Sequence, residues 1–435
     1  MIIVDSALQK REMAGHHVHV ALVGAGYMGR GIALQFLTAV KGMKLAAISN
    51  RTVASAEHAY LRAGADSVNF VETVEQLEES IAAGQYAVTN DPFLLCQAKS
   101  IDVIIEATGD VEFSAQVVMN AIENRKHVVL MNAELDALVG PILKKYADEN
   151  HVVITNADGD QPGVVMNLLR SVKTTYGCEP VLAGNIKGLQ DYYRTPETQR
   201  DFADKHNLTP QMATSFADGT KISMEMAVVA NATGFKVGRR GMYGPSCAHI
   251  TEALDLFPKE DLLNGGLVDY VLGAEPSPGV FAIGYNDHPL KKPYMNYFKM
   301  GDGPFYIFYT PYHLPHLEVA MTAARAALFH DAAIAPVAGP VCDVITVAKR
   351  DLNSGEILDG IGGFTCYGML ENAENCQEEN LLPMGQSQNC RLIRSVAKDQ
   401  AITHEDVVLP PGRLSDKLRE EQNEVFYSEH KLAFV

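Results

Sequence analysis

The stretch VHVALVGAGYMGRGIALQF (residues 18–36), continued by KLAAISNRT (residues 44–52), decides the fold. Val18 to Val23 is a short apolar, β-branched run stopped by glycine, the pattern of a strand buried on both faces. Gly24-Ala25-Gly26-Tyr27-Met28-Gly29 follows with G-x-G-x-x-G spacing. Arg30 to Val40 then repeats with helical period, and Leu45 to Ile48 is a second apolar strand. A glycine loop between strand and helix, inside one βαβ unit, predicts a dinucleotide site. Gly24 serves the tight turn, Gly26 lets a pyrophosphate approach the backbone, and Gly29 lets helix and strand pack closely. The helix N-terminus adds amide donors and a positive dipole for the phosphates.

The end of the second strand speaks to which dinucleotide binds. An NAD site usually places Asp or Glu there to accept from the ribose 2′-hydroxyl. This chain has Ser49-Asn50-Arg51-Thr52 and no carboxylate. Arg51 can pair with a 2′-phosphate, and Ser49 and Thr52 can donate to it, so NADP(H) is the expected cofactor.

Downstream, helical and apolar segments keep alternating. Val53 to Ala63 and Glu72 to Ala83 read as helices, and Val103 to Gly109 as a strand ending in a Thr-Gly turn. Val111 to Glu123 is the next helix, and His127 to Met131 the next strand, ending at Asn132. Helix Gly140 to Asn150 and strand His151 to Thr155 complete the series. The alternation predicts an α/β fold: a doubly wound parallel Rossmann sheet over residues 1–157, with a short helical arm at residues 4–15. Thr108, Gly109 and Asn132 then fall at the sheet's carboxyl edge, where the nicotinamide end of a cofactor belongs.

The polar stretch NADGDQP (residues 156–162) marks the exit into an α+β catalytic domain, residues 158–339. It holds a helix at Val164 to Ser171, strands at Pro180 to Lys187 and Lys221 to Val229, and strand-like runs at 270–285 and 304–309. Helix 317–329 is expected to return the chain to the Rossmann unit. Residues 340–435 change texture to short strands and turns. There Val347-Ala-Lys-Arg-Asp-Leu and Val396-Ala-Lys-Asp-Gln-Ala resemble each other, each with an acid at the same offset, Glu356 and Glu405. This pairing resembles a SAF domain, a small β-clip module. The charged tail after Gly412 reads as a surface helix or a partly ordered segment.

With 435 residues the chain exceeds one core. A net charge of −17 argues against nucleic acid and anionic membrane as partners, because both require a basic footprint. The seven cysteines are scattered without a C-x-x-C, which fits reduced thiols in a cytoplasmic protein. Asp5 and Lys10-Arg11-Glu12 interrupt any signal-peptide core, and no apolar run is long enough to span a bilayer.

Hydride transfer to a carbonyl needs a group that polarises or protonates the oxygen. Lys187, ending an apolar strand, is the first candidate. Asp158, Asp160, Asp191 and Glu225 form a loose acidic set, of which Asp160 and Glu225 are the candidate ligands for Mg²⁺ or Mn²⁺ and further catalytic candidates. Arg194, Arg239 and Arg240 are candidate holders of an anionic substrate group. His313 and His316 flank Pro315 and read as structural.

Over nearly its whole length the chain resembles the homoserine-dehydrogenase-like oxidoreductases that carry a C-terminal SAF domain. Their characterised relative is the 1-deoxy-D-xylulose 5-phosphate reductoisomerase-like enzyme of some bacteria. The motifs that carry the resemblance are GAGYMG, DVIIEATG, KHVVLMNAE, the run from Lys221 through ANATG, MYGP, VDYVLG, SPGVFAI, GPFYIFYTPYHL and VAKRDL. The resemblance implies an NADPH-dependent reductase of isoprenoid biosynthesis, a divalent metal, a homodimer and a phosphosugar-type or polyhydroxylated small-molecule substrate. There are departures. The junction NADGDQPGVVMN and the loop NIKGLQDYYRTPETQ differ from the isoprenoid enzyme, and Asn132-Ala133 stands where homoserine dehydrogenases have Asn-Lys. Homoserine or aldehyde dehydrogenation, and a non-enzymatic NADPH sensor that binds a sugar or partner, are the alternatives.

Overall fold

The computed structural model describes residues 2–427. Contacts divide it into two compact units: the chain up to Asp160 together with Leu314–Ala335, and Gln161–His313 together with the chain from Pro336 onward.

The first unit is built on seven parallel strands: β1 Val18–Val23, β2 Met43–Ser49, β3 Val68–Phe70, β4 Tyr86–Thr89, β5 Val103–Glu106, β6 His127–Leu130 and β7 Ile154–Asn156. Their order is β3-β4-β2-β1-β5-β6-β7. Strand order therefore reverses between β1 and β5, and ligands of open α/β sheets bind at such a point, beyond the carboxyl ends of the strands. The central strands are apolar and buried on both faces, as parallel strands covered by helices must be. Helix Tyr27–Thr38 leaves the glycine loop, and helix Pro315–Phe329 packs against it within this unit. The approach is close: a Cβ on Gly31 would lie 2.7 Å from the His316 ring. The N-terminal helix spans Ile2–Ala14 and buries Val4 and Leu8 in the same core.

The predicted helix at 140–150 is longer than expected, running Ala133–Glu149 with Pro141 inside it. The missed signal is Asn132, whose side-chain oxygen caps the helix by accepting from Leu135 N at 3.1 Å.

The second unit carries a mixed sheet of β8 Glu179–Lys187, β9 Leu267–Leu272, β10 Gly279–Tyr285 and β11 Phe305–Thr310, in the order β11-β10-β8-β9. The run at 270–285 is thus the end of one strand, a turn and a second strand. Lys221 to Val229 is not a strand. It lies within a buried helix, Thr220–Thr233, bounded by left-handed glycines at Gly219 and Gly234. Lys221 to Met226 alternates polar and apolar residues, the period of a half-buried strand; the helix instead buries Ser223 and Glu225 with the apolar residues, and the flanking glycines set its length at helical size.

Residues 336–427 group with 161–313 rather than standing apart. They contain β12 Cys342–Ala348 and β13 Cys366–Asn372, which pair antiparallel. The two similar hexapeptides face each other with exchanged positions. Val347 bridges Ala401, the counterpart of Leu352, and Leu352 bridges Val396, the counterpart of Val347. The two copies are therefore related by a local two-fold, around a core that includes Ala348, Leu352, Leu392, Val396 and Ile402. The charged tail is a packed helix, Leu414–Tyr427, whose Arg419 is buried against Asp343. The last eight residues of the predicted tail lie outside the described residues. All seven cysteines are free thiols. Among the described residues no helix is long and apolar enough to cross a membrane.

Candidate functional site

At the switch point of the first unit the backbone is tight. Gly24 has φ +107, and a Cβ there would sit 2.9 Å from Ala107 O, at the turn after β5. Gly29 is packed harder, with a Cβ position 2.2 Å from Gly24 O. Gly26 is different: it is exposed, and nothing lies within 4 Å of its Cβ position. The fold itself needs no glycine at position 26, so the open space fits a ligand that approaches the backbone. Tyr27 is exposed and meets His316 edge-on at 6.3 Å, while Met28 is half-buried.

The end of β2 divides the four residues expected to read the ribose. Ser49 is 1 % exposed, so its hydroxyl is closed off from a 2′-phosphate. The Asn50 side chain braces the loop, accepting from Ala25 N at 3.0 Å and donating to Thr52 O at 2.9 Å. Arg51 and Thr52 are exposed, and Thr52 precedes helix Val53–Ala63 without capping it through its side chain. These two carry the candidate 2′-phosphate contacts.

Beyond β5 and β6 a buried polar relay holds the carboxyl edge. Glu106 is fully buried; its Oε1 accepts from Thr108 N at 2.8 Å and from the Thr108 hydroxyl. Thr108 Oγ1 lies 3.0 Å from Ser114 Oγ, which accepts from Asn132 Nδ2 at 2.9 Å. Burial raises the Glu106 pKa above the usual carboxylate range, opposed by the Thr108 hydrogen bonds. Asn132 thus has both ends of its amide committed to protein and acts as a helix cap, not as a free nicotinamide contact. Gly109 remains exposed with φ +74. A glutamate closing the run Val-Ile-Ile-Glu was the available sign of this relay.

In the second unit, β8 delivers Lys187 to the end of a buried strand, where its Nζ donates to Phe216 O at 2.8 Å. Burial lowers its pKa; the charges of Glu225 and Asp218 oppose that shift, and Lys221 adds to it. Two residues earlier, Asn185 is fully buried and donates to Gln161 and, at 3.3 Å, to Glu225 Oε2. Asn185 is an amide inside the apolar run VLAGNIK, an anomaly already visible in the sequence. Asp218 holds a buried ammonium: Lys349 Nζ lies 2.9 Å from its Oδ2 and donates to Arg194 O and Gly363 O, each at 2.8 Å.

The arginines expected to hold an anion are committed to the protein. Arg240 pairs with Glu371 at 2.6 Å and Glu379 at 2.5 Å. Arg239 donates to Met242 O and Tyr243 O, both at 3.0 Å. Arg194 pairs with Asp191 at 3.0 Å. The physical reason is that the glycine-rich loop turns back on the protein's own carboxylates and carbonyls, which satisfy the guanidinium forks.

Asp158 forms a buried two-oxygen pair with Arg325. Asp160, 8 % exposed, belongs to the first unit, and Glu225, 5 % exposed, to the second. Among the described residues, no group of three or more His, Cys, Asp or Glu could hold a metal ion.

Residues 24–155 match the family described as the NAD-binding domain of homoserine dehydrogenase. Residues 159–319 match the catalytic domain of oxidoreductase DRL. Homoserine dehydrogenase of Neisseria gonorrhoeae is 26% identical over 133 residues, 30% of this chain and 30% of that protein. Homoserine dehydrogenase of Methylobacillus glycogenes is 26% identical over 153 residues, 33% of this chain and 36% of that protein. The chain thus matches about a third of the length of these curated relatives. Among solved structures, a probable dehydrogenase from Thermotoga maritima aligns over 73% of this chain and 91% of its own, at 12% identity and a TM-score of 0.40. That score is too low to carry an argument. The sequence matches are firmer: this chain joins a homoserine-dehydrogenase-type NAD-binding domain to an oxidoreductase catalytic domain of the DRL kind.

Proposed function

We propose that the protein is an NADP(H)-dependent oxidoreductase that reduces the carbonyl of a small polyhydroxylated keto compound, with Lys187 as the acid. The observation that carries this reading is Lys187 itself. It ends a strand of the catalytic-domain match, and burial lowers the pKa of its ammonium. Bound nicotinamide supplies the hydride to the carbonyl carbon. Lys187 gives a proton to the oxygen as negative charge develops there, and the nearby Glu225 and Asp218 favour the charged ammonium beforehand. The choice of NADP(H) rests on exposed Arg51 and Thr52 and on the missing carboxylate at the end of β2.

A second reading, reductive isomerisation of 1-deoxy-D-xylulose 5-phosphate, rests on the family resemblance carried by the sequence motifs; the match over residues 159–319 supports the coarser oxidoreductase reading. The isomerisation would require another holder for the phosphate, since Arg194, Arg239 and Arg240 are already paired. The facing copies in the C-terminal region support the SAF-like reading of that segment.

The test is NADPH oxidation by the full chain with 1-deoxy-D-xylulose 5-phosphate and with a panel of keto-sugars, each with and without Mn²⁺. Metal-independent turnover of a keto-polyol supports the proposal. Metal-dependent turnover of the phosphosugar supports the second reading. Tight NADPH binding with no turnover of any carbonyl substrate, aspartate 4-semialdehyde included, would leave a cofactor sensor and overturn both.

A further inference from the structure

The paired motifs of the C-terminal segment take no part in the reaction proposed above. Their lysines, Lys349 of Val347-Ala-Lys and Lys398 of Val396-Ala-Lys, hold equivalent places in the two copies. Both reach one short piece of chain. Lys349 Nζ donates to Arg194 O at 2.8 Å. Lys398 Nζ lies 3.6 Å from the centre of the Tyr193 ring, a cation–π contact. Asp399, next in sequence, accepts from the Tyr193 hydroxyl at 2.9 and 3.0 Å. On β13, Tyr367 stacks on Tyr192 with ring centres 4.7 Å apart. Three consecutive residues, Tyr192 to Arg194, are thus held from the C-terminal segment.

Those residues sit in the irregular loop 188–199 that leaves β8 immediately after Lys187. The loop is tied down on its other side as well. Asp191 N donates to Ala217 O at 2.8 Å, one residue past Phe216, whose carbonyl receives Lys187 Nζ. Asp218 follows, and its two oxygens take Lys349 Nζ at 2.9 Å and Thr220 N at 3.0 Å. At Gly219, with φ +86, a Cβ would lie 2.8 Å from Gln190 Nε2 and 3.1 Å from the Tyr192 ring, so the loop rests directly on this backbone. Lys187, segment 216–219, the loop and Lys349 therefore form one closed circuit. Fixing an irregular loop costs conformational entropy that contacts must offset, and here the C-terminal segment supplies them.

We infer that the C-terminal segment is a clamp for the acid lysine: its paired lysines hold loop 188–199 against segment 216–219 and so fix the position and the water access of Lys187. Lys349, Lys398 and Asp399 are positioning residues, because they act through the loop. The charges facing Lys187 are Glu225 and Lys221 on helix Thr220–Thr233 and Asp218 before it, and Lys349 shares the last of these. Opening the clamp admits water to the ammonium and returns its lowered pKa toward the ordinary lysine value. The catalytic meaning of the clamp rests on Lys187 being the acid.

Two variants of the full chain test it. Lys398→Met/Asp399→Gly removes both contacts to Tyr193 at exposed positions, and glycine accepts the φ of +66 found at Asp399. Lys398→Arg/Asp399→Asn keeps a cation over the ring and an acceptor for the hydroxyl. Lys349 is left in place because its buried pair with Asp218 supports the fold. In the first variant, hydrogen exchange over residues 189–195 should speed up roughly tenfold or more, the effect of losing a hydrogen bond to a charged group. The pH midpoint for acetylation of Lys187 by acetic anhydride should rise, while the urea midpoint stays put. The second variant should match the wild type in both. Unchanged exchange would overturn the clamp. Faster exchange with an unmoved Lys187 midpoint would reduce the contacts to a surface tether and overturn the positioning role. Neither readout needs a substrate, so full turnover by Lys187→Met would sink the acid assignment alone.

Discussion

Replacing Gly26 by alanine should weaken cofactor binding and leave the fold intact, whereas Gly29→Ala should damage the fold itself. At Gly29 the new Cβ would stand 2.2 Å from Gly24 O. That is roughly 1 Å inside the ~3.3 Å of a close C–H···O contact. The neighbour is backbone, so the turn must shift, at a cost of about 1–3 kcal/mol. At Gly26 nothing lies within 4 Å, and φ −71, ψ −159 is allowed for alanine. Losing glycine at the N-cap costs up to about 1 kcal/mol, and stiffening the unfolded chain returns about 0.4–1 kcal/mol. The net change should be near zero. The methyl would hold a pyrophosphate away from the loop and forfeit at least one hydrogen bond to a charged group, about 1.5–3 kcal/mol, or roughly ten- to a hundredfold in affinity. Urea unfolding and fluorescence titration with NADPH read the two effects separately. If Gly26→Ala bound NADPH as tightly as the wild type, the glycine would be a turn residue only, and the pyrophosphate assignment would fall.

Other consequences concern single side chains. Arg51→Ala should weaken NADPH by about 1.5–3 kcal/mol and leave NADH little changed, so the ratio of the two dissociation constants is decisive; equal losses would refute the 2′-phosphate role. Lys187→Met should remove turnover without altering NADPH affinity. In the wild type, turnover should fall as pH rises through the lowered Lys187 pKa, because the acid must carry its proton. Asp136 is buried, and its pKa is pushed up by burial to about 7. The folded state therefore holds a proton that the unfolded chain releases near pH 4, so stability should decline from about pH 4 to about pH 7 and level off above. Asp136→Asn should flatten that slope in urea titrations across the range, and an unchanged slope would count against the assignment. Lys349→Met would strand the buried Asp218 carboxylate and should destabilise the fold by about 3–5 kcal/mol; a loss below about 1 kcal/mol in urea unfolding would contradict it.

Much of the first unit was legible because its information is local. Strand, glycine spacing and helix are written within Val18 to Phe36, and each glycine role depends on backbone only a few residues away or on the adjacent strand end. The site was less legible because polar residues choose among partners distant in sequence. Ser49 sits in the expected position and is closed off by burial. Asn132 looked like a cofactor contact and spends its amide on Ser114 and a helix end. Arg240 looked free between glycines and finds Glu371 and Glu379, more than a hundred residues on.

By itself, then, the sequence determined the parallel sheet of the first unit, the glycine turn between β1 and the helix after it, and the lysine that ends β8. Periodicity, glycine spacing and strand termini are properties of neighbouring residues, and these features follow from them. Only the tertiary structure decided that Lys221 to Val229 is helix, that the anion-holding arginines are already paired, and that Glu106 and Asn185 are buried polar anchors. A short polar–apolar alternation can still fold as a helix when its polar residues are buried too, and a charge or amide acquires its role only when folding assigns its partner and its access to water.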